Sequence, residues 1–128
     1  MYAYVLDSSA ILAVIYEEPG AAFVSSLLER CAVSSVNVCE SMTRLLLDGV
    51  DLFSARKRID KIVQATIPFD LSLALDAAKL SRTTSCFGLS LGDRACLATA
   101  MQRHATAITS DKAWAKLDIP SLKVKLIR

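Results

Sequence analysis

The chain has 128 residues, a length at which one domain can bury its own hydrophobic core without disulfide or metal cross-links. We therefore expect one domain over residues 1–128. Fifteen Lys and Arg against 13 Asp and Glu give a formal net charge of +2, which excludes a general attraction to nucleic acid or membranes and confines any electrostatic function to a local site. The hydrophobic fraction of 53% is high for a small soluble domain and predicts apolar surface that a second chain covers.

The alternation of β-rich and amphipathic helical segments predicts an α/β fold. The predicted strands cover residues 2–6, 32–33, 66–69, 105–109 and 122–127. The predicted helices cover residues 10–17, 19–30, 35–47, 51–63, 71–82, 90–103 and 112–117, and residues 83–89 are expected to be a loop. Because helices separate the strands, we expect a central parallel sheet of about five strands between two helical layers.

Cysteine usage and charge distribution predict a cytoplasmic protein without a membrane span. Cys31, Cys39, Cys86 and Cys96 form no CxxC pair and lie in apolar contexts, as expected for reduced thiols. Uncharged segments such as residues 83–92 reach ten residues, whereas a span needs about 20. We expect no secretory signal, because no basic segment precedes the first apolar stretch, which itself contains an aspartate.

Two aspartates follow predicted strands. Asp7 comes directly after the first strand, and Asp111 follows the fourth strand through one serine. The carboxyl ends of parallel strands form the ligand crevice of open α/β sheets, although a turn or helix-cap role is the alternative for each aspartate. Ser9 and Thr109, each two residues from an aspartate, could orient a carboxylate or a metal-bound water; cap and strand roles are the alternatives.

Two further carboxylates, Glu40 and Asp93, lie on apolar helix faces. Glu40 shares its face with Val36 and Leu47. The alternatives are an ion pair between Glu40 and Arg44 and a stabilising effect of Asp93 on the start of its helix.

The four carboxylates Asp7, Glu40, Asp93 and Asp111 can converge at one end of the predicted sheet. Several carboxylates at close range repel one another, and a divalent cation removes that conflict. An all-oxygen set suits Mg²⁺ or Mn²⁺, whereas zinc prefers His or Cys. The single histidine, His104, is expected to lie at a helix end. We therefore expect hydrolysis of a phosphodiester by metal-activated water.

Four segments in this order, "YVLDSSAILAVIYEEPG", "SSVNVCES", "LSLGDRACLATA" and "AITSDKAW", resemble PIN-domain ribonucleases of the VapC type, the toxins of toxin–antitoxin pairs. The resemblance covers essentially the whole chain and implies a Rossmann-like parallel sheet. It assigns the same four acidic residues to Mg²⁺ or Mn²⁺ binding and catalysis. It also implies RNA cleavage that stops translation, with tRNA or rRNA as substrate, a homodimer, and a cognate antitoxin that blocks the acidic groove.

Basic and aromatic residues outside the acidic set have less specific signals. Arg94 and Lys112 each follow a predicted metal ligand and could hold an RNA phosphate, with surface pairing as the equal alternative. The basic residues of the predicted helix 51–63 are expected to form a solvated face. Trp114 is expected to pack in the core rather than stack on a base.

Four other functions remain as alternatives. A PIN nuclease in RNA processing would share the chemistry, and a binding module would have lost it. A phosphorylated receiver is disfavoured, because Asp7 has no acidic neighbour in sequence. A phosphatase with Asp7 as nucleophile is disfavoured as well, because the chain reads "DSS" where such enzymes have DxD.

Overall fold

A five-stranded parallel sheet forms the centre of the computed structural model, which describes residues 1–128 in full. The strand order is β3-β2-β1-β4-β5, and all four neighbouring pairs are parallel. The strands are β1 (Tyr4–Leu6), β2 (Cys31–Ser34), β3 (Thr66–Ile67), β4 (Thr106–Thr109) and β5 (Lys123–Leu126). The predicted parallel sheet of five strands is therefore confirmed.

Six α-helices connect the strands. They are α1 (Ser8–Ile15), α2 (Ala21–Ser25), α3 (Ser35–Leu47), α4 (Leu52–Ile62), α5 (Leu71–Thr84) and α6 (Leu91–Gln102). Short 3-10 helices occupy Leu28–Arg30, Ser85–Phe87 and Lys112–Lys116. None of the helices has both the length and the apolar character that a membrane-spanning segment requires.

Two hydrophobic clusters cover the two faces of the sheet. Successive residues of a strand point to opposite faces, and Val5 and Leu6 in β1 accordingly belong to different clusters. The cluster of Val5 includes residues of α5 and α6, such as Leu73 and Leu97. The cluster of Leu6 includes residues of α1, α3 and α4. This division produces the predicted arrangement of three layers.

The predicted loop over residues 83–89 is wrong for residues 83–87 and correct for residues 88 and 89. Helix α5 continues to Thr84, whose side chain is buried against the core, and the hydroxyl groups of Thr83 and Thr84 donate to the carbonyl oxygen of Leu80. The 3-10 helix Ser85–Phe87 follows and ends at Gly88, which has a φ of 66°.

The order of the strands places a crevice at β1. From β1 the sheet continues through β2 to β3 on one side and through β4 to β5 on the other. Ligands of open α/β sheets bind outside the carboxyl ends of the strands at such a reversal. Asp7 directly follows β1, and Asp111 lies just beyond β4, so both aspartates are at this crevice.

Gly20 stabilises the fold by leaving space for the C-terminal segment. Its φ is +97°, and an added Cβ would lie 2.5 Å from the carbonyl oxygen of Ile127. We expect Gly20→Ala to lower the free energy of unfolding by about 2–4 kcal/mol, because the left-handed conformation and the backbone clash both oppose a side chain. Urea denaturation measures the loss. Gly49→Ala is the matched control, since Gly49 has a φ of +91° but nothing within 4 Å of an added Cβ, and it should cost only about 1–2 kcal/mol. Equal losses in the two variants would contradict a constraint from Ile127.

Candidate active site

Asp7 is buried at the junction between β1 and α1. Its side chain and backbone are only 3% exposed, and it is the residue that precedes the first turn of α1. The Asp7 Oδ2 accepts hydrogen bonds from Ser9 Oγ at 2.7 Å and Thr109 Oγ1 at 3.0 Å. The other oxygen, Oδ1, is buried and has no hydrogen-bond partner. Ser9 and Thr109 thus fix the orientation of a carboxylate that keeps one oxygen free.

The environment of Asp7 opposes its negative charge. Burial is the main cause that raises the pKa of Asp7 from 3.8 to about 6, and the negative charges of Asp93 and Glu40 raise it further. The hydrogen bonds from Ser9 and Thr109 lower the pKa and offset part of this effect. A cation near Asp7 would favour the charged form.

Glu40 projects from α3 toward the start of α6. Its Oε1 accepts hydrogen bonds from Ser8 Oγ and Asn37 Nδ2, both at 3.0 Å. An added Cβ on Gly92, in the first turn of α6, would lie 2.1 Å from Glu40 Oε2. The Glu40 carboxylate therefore occupies the space that a side chain at residue 92 would need.

Arg44 is not the partner of Glu40. Its Nε forms an ion pair with Asp48 Oδ2 at 3.0 Å, one turn farther along α3, and its guanidinium group lies over the ring of Tyr16. The alternative explanation of Glu40 as half of a surface ion pair with Arg44 is therefore wrong.

Asp93 has a structural role at the start of α6. Its backbone N donates to Ser90 Oγ at 3.2 Å, and its Oδ2 accepts from the backbone N of Ser90 at 2.9 Å, which forms a capping box. The proposed effect of Asp93 on the helix start is thus present. The Asp93 carboxylate also lies close enough to Asp7 to raise the pKa of Asp7. Asp93 therefore caps the helix and also belongs to the acidic cluster, which consists of Asp7, Glu40 and Asp93.

Asp111 lies at the rim and is exposed. Its Oδ1 accepts a hydrogen bond from the backbone N of Ala113 at 2.9 Å, so Asp111 caps the 3-10 helix Lys112–Lys116. Its backbone N donates to Thr109 Oγ1 at 3.1 Å, and Thr109 in turn donates to Asp7. The structure thus groups Asp7, Glu40 and Asp93, and it connects Asp111 to them through Thr109.

The acidic cluster fits a hard cation by its chemistry. All its donors are oxygens, and the buried Asp7 Oδ1 has no partner. In this arrangement no group of three His, Cys, Asp or Glu side chains is positioned to hold a metal ion. Two of these carboxylates also accept hydrogen bonds, Glu40 through Oε1 and Asp93 through Oδ2.

The structure also places the basic and aromatic residues for which the sequence analysis made predictions. Arg94 Nη1 donates to the carbonyl oxygen of Ala77 at 3.0 Å, which ties α6 to α5, and Lys112 is exposed. Their contacts with RNA remain predictions. His104 lies just after α6 with a φ of 53°, as expected for a helix end. Trp114 is 1% exposed, so its prediction as a core residue is confirmed.

Sequence reasoning missed Ser8 and Asn37, the two donors to Glu40. Asn37 precedes Glu40 by three residues and therefore lies on the same face of α3, a spacing that could have marked it. Ser8 is the first residue of α1, and the contact of its hydroxyl with Glu40 on α3 has no signal in the local sequence.

A comparison with protein-family models matches the PIN domain over residues 4–120. The chain belongs to the PIN domain family, and this part of the predicted resemblance is confirmed. No curated protein matches it by sequence.

Several solved structures have the same fold at low sequence identity. VapBC from Salmonella typhimurium bound to DNA has a TM-score of 0.76 at 13% identity, with 100% of each chain covered. VapBC2 from Rickettsia felis bound to a DNA fragment from its promoter has a TM-score of 0.72 at 17% identity, with 96% of this chain and 97% of that chain covered. VapBC-5 from Mycobacterium tuberculosis, a member of the VapBC family of toxin-antitoxin systems, has a TM-score of 0.68 at 22% identity, with 97% and 98% covered.

Proposed function

We propose that the chain is a single-domain, metal-dependent endoribonuclease and the toxin of a VapC-type toxin–antitoxin pair, acting in the cytoplasm. The observation that carries this proposal is the buried Asp7 with its unpartnered oxygen, beside Glu40 and Asp93, at the carboxyl edge of a PIN-domain sheet. The structural similarity to VapBC proteins supports the toxin assignment.

The proposed chemistry is hydrolysis of an RNA phosphodiester, with tRNA or rRNA as substrate. A bound Mg²⁺ or Mn²⁺ would activate the attacking water and stabilise the leaving oxygen. Asp7, Glu40, Asp93 and Asp111 would hold the ion. Ser9 and Thr109 orient Asp7 through their hydrogen bonds.

The rim of the crevice supplies the proposed contacts with RNA phosphates. Lys112 is exposed next to Asp111, and Arg94 follows Asp93 in the first turn of α6. Because Arg94 already donates to Ala77, its remaining N–H groups would make this contact.

Exposed apolar side chains support protein partners. Leu47 and Leu91, which are 80% and 53% exposed, line a groove that also contains Glu40, and we assign this groove to the antitoxin, which would cover the acidic residues there. A separate groove of about 690 Å³ between α3 and α4 includes the exposed Leu52 and Phe53, and we assign it to the homodimer. Sedimentation velocity tests the homodimer, since a monomeric mass for the isolated chain would contradict it.

RNA cleavage by the purified, partner-free chain tests the nuclease. We expect cleavage of structured RNA at pH 7.5 with Mg²⁺ or Mn²⁺ and none with EDTA. Restoring the ion in excess of EDTA should restore cleavage, which separates metal dependence from inactivation. Cleavage that persists in EDTA would contradict the metal-dependent mechanism, and ion binding without cleavage would favour the binding module.

Expression of the chain in bacterial cells tests the toxin assignment. Induced expression should arrest translation before growth stops. Normal translation in cells that contain the active nuclease would favour the RNA-processing alternative.

A further inference from the structure

Asn37 joins the two helices that carry Glu40 and Asp93. Its Nδ2 donates at 3.0 Å to Glu40 Oε1 and at 3.0 Å to the carbonyl oxygen of Gly92, and the residue is fully buried. An amide turned the other way would place its oxygen against two acceptors, so these contacts determine its orientation. One side chain therefore links the carboxylate in α3 to the first turn of α6.

The oxygen of the Asn37 side-chain amide, Oδ1, does not contribute to the stability of the fold. Its Oδ1 is buried without a hydrogen-bond partner, and such an acceptor destabilises a fold. An apolar side chain of similar size would avoid this loss. The amide is thus better explained by the position it gives Glu40 than by the stability of α3.

Gly92 gives independent evidence for the same constraint. An added Cβ would lie 2.1 Å from Glu40 Oε2 and 2.3 Å from Glu40 Cδ, far below a normal contact. Gly92 is inside α6, where alanine would be favoured for helix formation. The absence of a side chain therefore makes room for the Glu40 carboxylate against α6.

We propose that Asn37 and Gly92 are positioning residues that together hold the Glu40 carboxylate beside Asp7 and Asp93 for cation binding. Asn37 orients the carboxylate with its amide, and Gly92 provides the space that the carboxylate occupies. This inference rests on the proposed metal-dependent function. Asn37 and Gly92 would contact no reacting atom, and their effect on the cation would come only from the position they give to Glu40.

Calorimetric titration with Mn²⁺ alone tests the inference. We expect Asn37→Leu and Gly92→Ala each to weaken Mn²⁺ binding about 10- to 100-fold, the usual effect of removing a residue that orients a metal ligand. In the double variant, the fold-decrease in Mn²⁺ affinity should be smaller than the product of the two single decreases, because both substitutions act on the same carboxylate. Ser41→Ala is the control. Ser41 is fully buried on α3, and its hydroxyl donates to the backbone carbonyl oxygen of Asn37 at 2.9 Å. Removing this hydroxyl therefore perturbs the helix but removes no contact of the Glu40 carboxylate.

Two further measurements separate positioning from folding. Thermal melts in EDTA report the stability of each variant without the ion. In RNA cleavage at limiting Mn²⁺, we expect Asn37→Leu to lower kcat with little change in the KM for RNA, and a higher Mn²⁺ concentration should restore the rate. If Asn37→Leu does not fold, Asn37→Ser and Gly92→Ala provide the test.

The outcomes distinguish this inference from the proposed function. If the wild-type chain binds Mn²⁺ and cleaves RNA while Asn37→Leu and Gly92→Ala bind Mn²⁺ equally well, positioning by these residues is overturned and the nuclease stands. If the wild-type chain neither binds Mn²⁺ nor cleaves RNA, the proposed function itself is overturned.

Discussion

Asp7→Asn is expected to reduce RNA cleavage by about 100- to 1,000-fold or more, the largest loss of activity among the substitutions considered. The substitution removes the negative charge at the one carboxylate that is both buried and incompletely hydrogen-bonded. Asparagine keeps the shape of aspartate, and its amide oxygen can still accept from Ser9 and Thr109. The loss should therefore come from the cation site and not from unfolding.

The measurement is the initial rate of RNA cleavage at pH 7.5 with saturating Mn²⁺. Asp118→Asn is the matched control, since Asp118 is exposed and the substitution removes the same charge outside the cluster. The control should retain the wild-type rate, and circular dichroism should show both variants folded. Full activity in folded Asp7→Asn would refute a catalytic role for this carboxylate.

The sequence was most informative where topology dictates position. Residues after parallel strands lie at one edge of the sheet, so the placement of Asp7 and Asp111 at the same edge followed from the predicted parallel arrangement of the strands. Helical periodicity likewise placed Glu40 on the inner face of α3, although it could not exclude an ion pair with Arg44. That choice depends on Asp48 and Tyr16, whose positions come from the packing of α1 against α3.

The details of the site depend on tertiary contacts that no local pattern contains. The spacing of Asn37 and Glu40 on α3 is visible in the sequence, but the hydrogen bond from Asn37 to Gly92 forms only because α6 packs against α3. Asp111 could be assigned as either a ligand or a cap from sequence, and in the structure its side chain forms the cap. The extension of α5 to Thr84 has the same origin, because Thr84 is favoured there by burial.

The metal-free protein is expected to lose stability as the pH rises through the pKa of Asp7. The folded state holds the proton more tightly than the unfolded state, because the pKa is about 6 in the fold against 3.8 for a free side chain. The contribution of Asp7 is therefore fully present below pH 3.8 and is lost as the pH rises past 6. A tenfold change in an acid dissociation constant is worth about 1.4 kcal/mol, so the whole change is worth about 3 kcal/mol.

Urea denaturation in EDTA, followed by the fluorescence of the buried Trp114, measures this dependence. Between pH 4.5 and 7.5 the free energy of unfolding of the wild type should fall by about 2 kcal/mol relative to Asp7→Asn, whose amide does not titrate. The comparison cancels the opposite contributions of Asp48 and Asp51, whose pKa values are lowered by hydrogen bonds from Tyr16 and Ser54, respectively. Adding Mg²⁺ or Mn²⁺ at pH 7.5 should stabilise the wild type more than the variant, because the ion binds the folded carboxylate cluster. If the free energy of unfolding depended on pH in the same way for the two proteins in EDTA, the pKa of Asp7 would not be raised by folding. The electrostatic argument for a cation at this position would then fail.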